Sequence, residues 1–465
     1  MITRDEKPGL VRALTLTHAV SLVVGIIIGT GIFLVPADMA RSTGSFALVM
    51  LAWVVGGLLS LFGALSYAEL SSAMPEAGGE YVYLRRAYGP LVGYLWGWSG
   101  FILARSGSMA TIASGFAIFA SFFFPALGGQ LAYFGLPAGE HQVTVLDIHG
   151  TTLLAIVAIW ALTLVNYTGV RTGGRVQSFL TVLKVAVILG LTASAFAIGR
   201  GTSAKAPPLL PDHFGGATWA GFFGGAMVAA LWAYDGWNNL PMVGSEVARP
   251  EKNLPRALIY GTLAVGLIYI LTNLAYFYIL PLGAIAASQN VAAAVATEIL
   301  GRYGAAVVIL GAIISSLATL NGSILTAARI PYAMARDGLF FRRLADVHPR
   351  YRTPSTSLFI FAGLASALAL TGGFQQLYTL VIFGEWLFYA LTTAGVFLLR
   401  RKEPNLPRPY RTWGYPWVPA IFLLMASVLL VYTFRQNLRE SVLGLGLILV
   451  GLPLYWFWRR RSRPL

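Results

Sequence analysis

Apolar residues in this chain come in long blocks, separated by short segments rich in Gly, Pro, Arg and acidic residues. Most blocks exceed the length at which an apolar run is read as a membrane span and not as a core helix. Twelve spans are predicted, at 14–36, 46–73, 90–122, 150–169, 176–198, 218–247, 257–281, 303–334, 356–371, 377–399, 416–434 and 442–458. No polar stretch is long enough for a separate soluble domain. The expected fold class is an all-α polytopic membrane protein, one transmembrane domain over 1–465.

Two blocks break their own pattern. The first holds Gly25-Ile26-Ile27-Ile28-Gly29-Thr30-Gly31-Ile32-Phe33. Glycines so close together weaken a continuous helix. They fit two readings: small residues for close helix packing, or a hinge at 29–31 between two half-helices. A half-helix starting near Thr30 would present free N–H groups and a positive dipole end within the membrane, which suits a carboxylate. The sixth block reads Leu231-Trp232-Ala233-Tyr234-Asp235-Gly236-Trp237-Asn238-Asn239 and then Pro241. A carboxylate inside a membrane segment is costly and marks function. Interrupted spans at corresponding places, five apart, are the pattern of an inverted-repeat secondary transporter with its site at the midplane. The repeats would be 14–198 and 218–399, with 416–458 appended.

The composition agrees: 57% hydrophobic, 11% charged, mean hydropathy +0.70. A net charge of +15 would admit nucleic acid as a partner, but its distribution assigns it to membrane orientation. Of 33 Lys and Arg, only Arg41, Arg200, Lys205, Arg302, Arg435 and Arg439 fall in outer segments, and Arg105, Lys184 and Arg329 fall within spans. Both termini are then cytoplasmic, and the expected location is the cell (inner) membrane. The charged start, Arg4 to Lys7, leads into a retained span. The outer loop 125–149 has no Lys or Arg, and the outer loop 200–217 is stiffened by Pro207, Pro208 and Pro211. The inner loop from Pro75 to Tyr81 reads as a tight turn or as a gate element. Glu69, Glu246, Arg329 and Arg336 lie near inner span ends and read as gate or structural pairs. With no cysteine, a disulfide-linked subunit is not expected. No cofactor, metal or enzymatic constellation is expected. No filter-like motif speaks for a channel.

Five stretches carry a resemblance: Val24 to Phe33, Pro75 to Tyr81, Arg175-Val176-Gln177 leading to Lys184, Trp232 to Trp237, and Asn253-Leu254-Pro255-Arg256-Ala257. On these the chain resembles the amino acid–polyamine–organocation superfamily, most of all the L-type amino acid transporter group and its bacterial relatives. The resemblance implies a leucine-transporter-like 5+5 inverted repeat of twelve helices, broken in spans one and six. It implies that N–H groups at Thr30 and Gly31 hold a substrate carboxylate, with Gly29 beside them in the substrate site. Carbonyls near Ile27 and Ile28, and near Trp232 and Ala233, would then hold the α-amine. Trp232 matches an aromatic gate. Ser108 and Ile112 match positions lining the side-chain pocket.

Lys184 is an ammonium deep in an apolar span, expensive unless paired or deprotonated. In sodium-independent relatives, a lysine at this position puts its ammonium where sodium-coupled relatives hold sodium. The resemblance thus implies contact with span-one carbonyls near Gly25, with Ser323 of span eight nearby. A fixed cation surrogate and a proton carrier both fit such a lysine. Asp235 and Glu385 are the mid-span acids that would face a cationic side chain. The structural alternatives have Asp235 capping the second half of span six or pairing with Arg105 or Lys184, and Glu385 pairing with the basic inner side or with Tyr389.

The function implied is sodium-independent secondary active transport of L-amino acids across the plasma membrane by alternating access. An exchanger of neutral substrates, with cationic ones second, fits first. A proton-coupled cationic amino acid or polyamine permease and a transporter-like amino acid receptor are the alternatives. A monomer and a homo-oligomer both fit.

Overall fold

The structure, a computed structural model, describes residues 9–138, 141–198, 219, 221–371, 374–436 and 438–461. The charged start and the proline-rich loop 200–217 lie outside the described residues.

Where the sequence predicts spans, the chain is helical. The first span is two helices, α1 (Leu16–Ile27) and α2 (Gly31–Thr43). Then follow α3 (Phe46–Ala73), the short α4 (Glu80–Tyr88), α5 (Pro90–Ser121), α6 (Gly150–Tyr167) and α7 (Val170–Ile198). The sixth span is a π-helical stretch Gly221–Met227, then α8 (Val228–Ala233), a turn, and a 3-10 stretch Trp237–Glu246. After it come α9 (Pro250–Ile279), the small α10 (Leu282–Ala287) and α11 (Val291–Leu300), and α12 (Gly304–Arg336). The chain finishes with α13 (Ser355–Leu370), α14 (Phe374–Lys402), α15 (Trp417–Gln436) and α16 (Ser441–Arg461). Among the described residues, nine helical segments are long and apolar enough to cross a membrane.

The starts carry local signals. The Thr15 side chain accepts from the His18 N–H at 3.4 Å and the Ser45 side chain from the Leu48 N–H at 3.4 Å, satisfying donors that a helix start leaves open. Pro90 and Pro250 open α5 and α9, where a missing N–H costs nothing.

One element departs from the all-α expectation. The loop 125–149 contains an antiparallel hairpin, β1 (Gln130–Ala138) with β2 (His141–His149).

Packing is concentrated around the interrupted spans. α1 lies against α7, α9 and α12. α3 runs along α9, and α5 along α12. The α1 segment is buried from Ser21 to Ile28, whereas the outer faces of α6, α7 and α15 expose leucines, valines and phenylalanines, as lipid-facing helices do.

Candidate functional site

The first break begins where Ile28 leaves helical geometry, at φ −72° and ψ 85°. A helix end in an apolar interior must find donors for its last carbonyls. Here the carbonyls of Gly25, Ile27, Ile28 and Gly29 are met. The Lys184 Nζ donates to the Gly25 carbonyl at 2.6 Å and to the Ile28 carbonyl at 2.5 Å. From α12, Ser315 Oγ donates to Ile28 and Gly29 carbonyls at 2.9 and 3.1 Å, and Thr319 Oγ1 to Gly25 at 3.2 Å. From α9, the Tyr269 hydroxyl lies 3.0 Å from both the Ile27 carbonyl and the Ala233 carbonyl. One hydroxyl thus joins the carbonyl ends of the two broken spans.

On the other side of the break the chemistry is reversed. None of the described hydrogen bonds uses the N–H of Thr30 or Gly31. Gly29 and Thr30 are partly exposed while Ile28 and Ile32 are buried, and none of residues 27–31 lines the cavity beside Trp232 described below. This is a helix start with unspent donors, suited to an anion.

The second break touches the first. A Cβ on Gly31 would lie 2.9 Å from the Ala233 Cβ. Gly236 has φ +120°, and a Cβ there would lie 2.7 Å from Ile26. Glycine is required at both places, once for approach and once for backbone conformation. Trp232 is half-buried on α8 and lines a narrow cavity of about 30 Å³ with Asp235, Glu385 and Trp386. Ser108 and Ile112 are half-buried on α5, and neither lines this cavity.

The acids are paired crosswise to the structural alternatives given above. Asp235 accepts from the Tyr389 hydroxyl at 2.8 Å. Glu385 faces the Arg105 guanidinium at 3.4 Å. A π-helical turn, Gly100–Ala104, precedes Arg105, and Arg105 also donates to Asn239 Oδ1 at 3.3 Å. Both acids still line the cavity beside Trp232.

Ser323 is buried on α12 but is not among the side chains that meet Gly25 or Ile28. Thr319 and Ser315, one and two turns earlier, take that place because α12 crosses the break at that height. Sequence reasoning missed Thr319, Ser315 and Tyr269. A tyrosine in an apolar span gives no signal apart from core packing.

The face that carries the ends of the chain is tied shut around the sixth span. The N–H groups of Ala13 and Leu14 donate to the Glu246 carbonyl at 2.9 Å, and the Ala248 N–H to the Leu14 carbonyl at 2.8 Å. The Arg329 guanidinium clasps the buried Glu246 carboxylate at 2.6 and 2.9 Å. The Gly78 N–H donates to the Met242 carbonyl at 2.9 Å. Glu69 is held by Arg400 at 2.6 Å and Arg408 at 3.3 Å. Arg336 lies against Tyr332.

A family profile described as "Amino acid permease" matches residues 14–452. The chain is 31% identical to the serine/threonine exchanger SteT of Bacillus subtilis (strain 168) over 463 residues, covering 98% of this chain and 99% of that protein. It is 30% identical to the cystine/glutamate transporter of Homo sapiens over 479 residues, covering 99% and 88%. It is 31% identical to the b(0,+)-type amino acid transporter 1 of Homo sapiens over 451 residues, covering 96% and 88%. These relatives are transporters and exchangers, not enzymes. With a match over nearly its whole length and interrupted spans meeting at Gly31 and Ala233, this multi-pass membrane protein belongs to the amino acid permease family of the amino acid–polyamine–organocation superfamily.

Proposed function

We propose that this chain is a sodium-independent L-amino acid exchanger working by alternating access at the two breaks. The carrying observation is the opposite polarity of the first break: unspent N–H groups at Thr30 and Gly31, and carbonyls at Gly25, Ile27 and Ile28. An α-amino acid offers a carboxylate and an ammonium about one bond apart. The breaks offer a donor end at Thr30 and Gly31 and a carbonyl end on the other side. The pairing of α3 with α9 and of α5 with α12 supports a twelve-helix 5+5 repeat, with Gly29, Trp232 and Ala233 beside the substrate and Ser108 and Ile112 toward its side chain.

Sodium independence is supported by the Lys184 ammonium. Two carbonyls and two hydroxyls converge there, a set that would suit a small hard cation. The ammonium fills the place as a fixed charge. The basic clusters at Arg342 to Arg352 and Arg400 to Arg411 support a cytoplasmic position for the face that carries the chain ends.

Substrates are proposed to be neutral amino acids first, as the serine/threonine exchanger's name supports. Cationic ones come second, because Asp235 and Glu385 line the cavity beside Trp232. The test is purified protein in liposomes with a panel of labelled amino acids. Uptake that needs amino acid inside and is unchanged when sodium is replaced by choline is expected. Uptake that follows a sodium or proton gradient into empty liposomes would defeat the exchanger reading, and saturable binding without uptake would favour a receptor.

A further inference from the structure

A further buried acid, Glu80, lies outside the substrate site. Glu80 opens α4, directly after Gly78 and Gly79, and its side chain has no solvent exposure. Its Oε1 accepts from Asn238 Nδ2, in the second half of the sixth span, at 2.8 Å. Its Oε2 is buried and has no hydrogen-bond partner.

The groups facing it come from every side. Tyr67 of α3 and Tyr83 of α4 pack edge to face at 6.4 Å, and the Tyr67 hydroxyl is turned to the carboxyl. From α5 comes Arg105, from the sixth span Asp235, and from α14 Glu385 and Tyr389. The other nearby cations are engaged elsewhere. Arg329 of α12 holds Glu246, Arg336 lies on Tyr332, Arg400 holds Glu69, and Lys402 donates to the Ala87 carbonyl. Three carboxyls, Glu80, Asp235 and Glu385, therefore share one guanidinium.

Three negative charges against one positive charge in a dry interior cost several kcal/mol per unpaired ion. A group in that position sheds its charge by taking a proton. Asp235 has the Tyr389 hydroxyl and Glu385 has Arg105. Glu80 has one amide on Oε1, and Oε2 has no hydrogen bond of normal geometry, with only the Tyr67 hydroxyl turned toward the carboxyl.

We propose that Glu80 is a proton-binding site whose occupancy sets how firmly the second half of the sixth span is held to the α3–α4 loop. The proton comes from the solution on the face that carries the chain ends, adds to Oε2, and leaves by the same route. No other bond is made or broken. Burial pushes the Glu80 carboxyl up to about 7, against the opposing pull of Arg105 and Asn238, so the site switches within the physiological range.

The ionised carboxylate accepts a charge-assisted bond from Asn238, roughly twice as strong as the bond to the neutral acid. It therefore reinforces the Gly78–Met242 tie beside it. Protonation weakens that hold, so opening on this face becomes easier as its pH falls through about 7.

Two readouts test this, and only the second rests on the transport reading. Infrared difference spectra of the purified protein should contain a protonated-carboxyl band that titrates near neutral pH. Glu80→Gln, isosteric and permanently neutral, should lack it. In liposomes, exchange by the wild type should slow about threefold or more as pH on that face rises through neutrality, and Glu80→Gln should have a flat profile. A band that survives in Glu80→Gln, or a pH profile identical to wild type, overturns the assignment. If Glu80→Gln does not fold, Asn238→Ala serves. Losing the amide should move the band's midpoint upward, and an unmoved midpoint overturns the assignment equally. A titrating band in a protein that moves no amino acid would leave the proton site standing and remove the transport reading instead.

Discussion

Gly31 and Ala233 touch where the two interrupted spans meet: a Cβ added to Gly31 would stand 2.9 Å from that of Ala233 and 3.1 Å from its Cα. That contact holds the donor end of one break beside the acceptor end of the other. Gly31→Ala should force the breaks apart at a cost of about 1–3 kcal/mol. Amino acid uptake is expected to fall at least about tenfold, since 1.4 kcal/mol is a factor of ten. Gly190→Ala is the control. It lies in α7 with nothing within 4 Å of the added methyl, and should leave uptake unchanged while gaining up to about 1 kcal/mol of helix stability. Equal uptake by the two variants would break the link between this contact and the site.

Lys184 anchors the other side of the first break. Lys184→Ala leaves the Gly25 and Ile28 carbonyls with hydroxyls alone. An unsatisfied buried group costs about 1–3 kcal/mol, so uptake should be lost or strongly slowed at every sodium concentration. Liposome uptake with and without sodium checks this, and full activity of the variant would dismiss the ammonium as a structural necessity.

Tyr269→Phe removes the hydroxyl shared by Ile27 and Ala233 but keeps the ring against Trp53 and Tyr234, at 5.1 Å from each. The fold should survive, as melting of the purified protein will report. Substrate KM should rise about tenfold or more, because the Ala233 carbonyl loses the hydroxyl and the Ile27 carbonyl is left with the Gly29 N–H alone. An unchanged KM with lowered turnover would assign the hydroxyl to the moving step.

Asp235→Asn should keep the bond from Tyr389, since an amide oxygen still accepts. It removes one negative charge from the cavity. If cationic side chains are bound there, their uptake relative to a neutral amino acid should drop about tenfold, as expected for one charge-assisted bond of ~1.5 kcal/mol. Competition between labelled serine and unlabelled arginine or lysine measures the ratio. Equal losses for both classes would take Asp235 out of substrate selection.

Some of this was legible in the sequence and some was not, for physical reasons. The breaks were legible because Gly29, Gly31, Asp235 and Pro241 contradict the apolar runs that contain them. Lys184 was legible because an ammonium inside such a run must find acceptors. The bounds of span two followed from length, 46–73 in the sequence and Phe46–Ala73 in the structure, whereas span seven starts at Pro250 and not at 257. The crosswise pairing of Asp235 with Tyr389 and of Glu385 with Arg105 was not legible. It depends on the rotation of α14 against α5, which hydropathy does not encode. The same holds for Thr319 and Ser315 over Ser323, where only the height of a helix crossing decides. The hairpin at Gln130–His149 had a signal, since Val143, Val145 and Ile148 in a Gln-Val-Thr-Val-Leu-Asp-Ile-His run favour a strand. In a chain dominated by helices that signal was easily passed over.

Arg329 and Glu246 form the most deeply buried ion pair of the face that carries the chain ends, with side chains 1% and 0% exposed. Arg329→Ala leaves an uncompensated carboxylate and should destabilise the protein by about 3–5 kcal/mol. The double change Arg329→Met with Glu246→Leu removes both charges at similar volume and should recover most of that loss, since apolar replacement of a buried pair is often neutral. The Glu246 backbone carbonyl that receives the Ala13 and Leu14 N–H groups is untouched by either change. Melting therefore separates packing from gating. If the pair only fills space, the double variant transports as it folds. If charge repulsion or release opens this face, the double variant should fold near normally and exchange at least about tenfold more slowly. The second outcome is expected, because a bidentate guanidinium–carboxylate clasp is directional and an apolar pair is not.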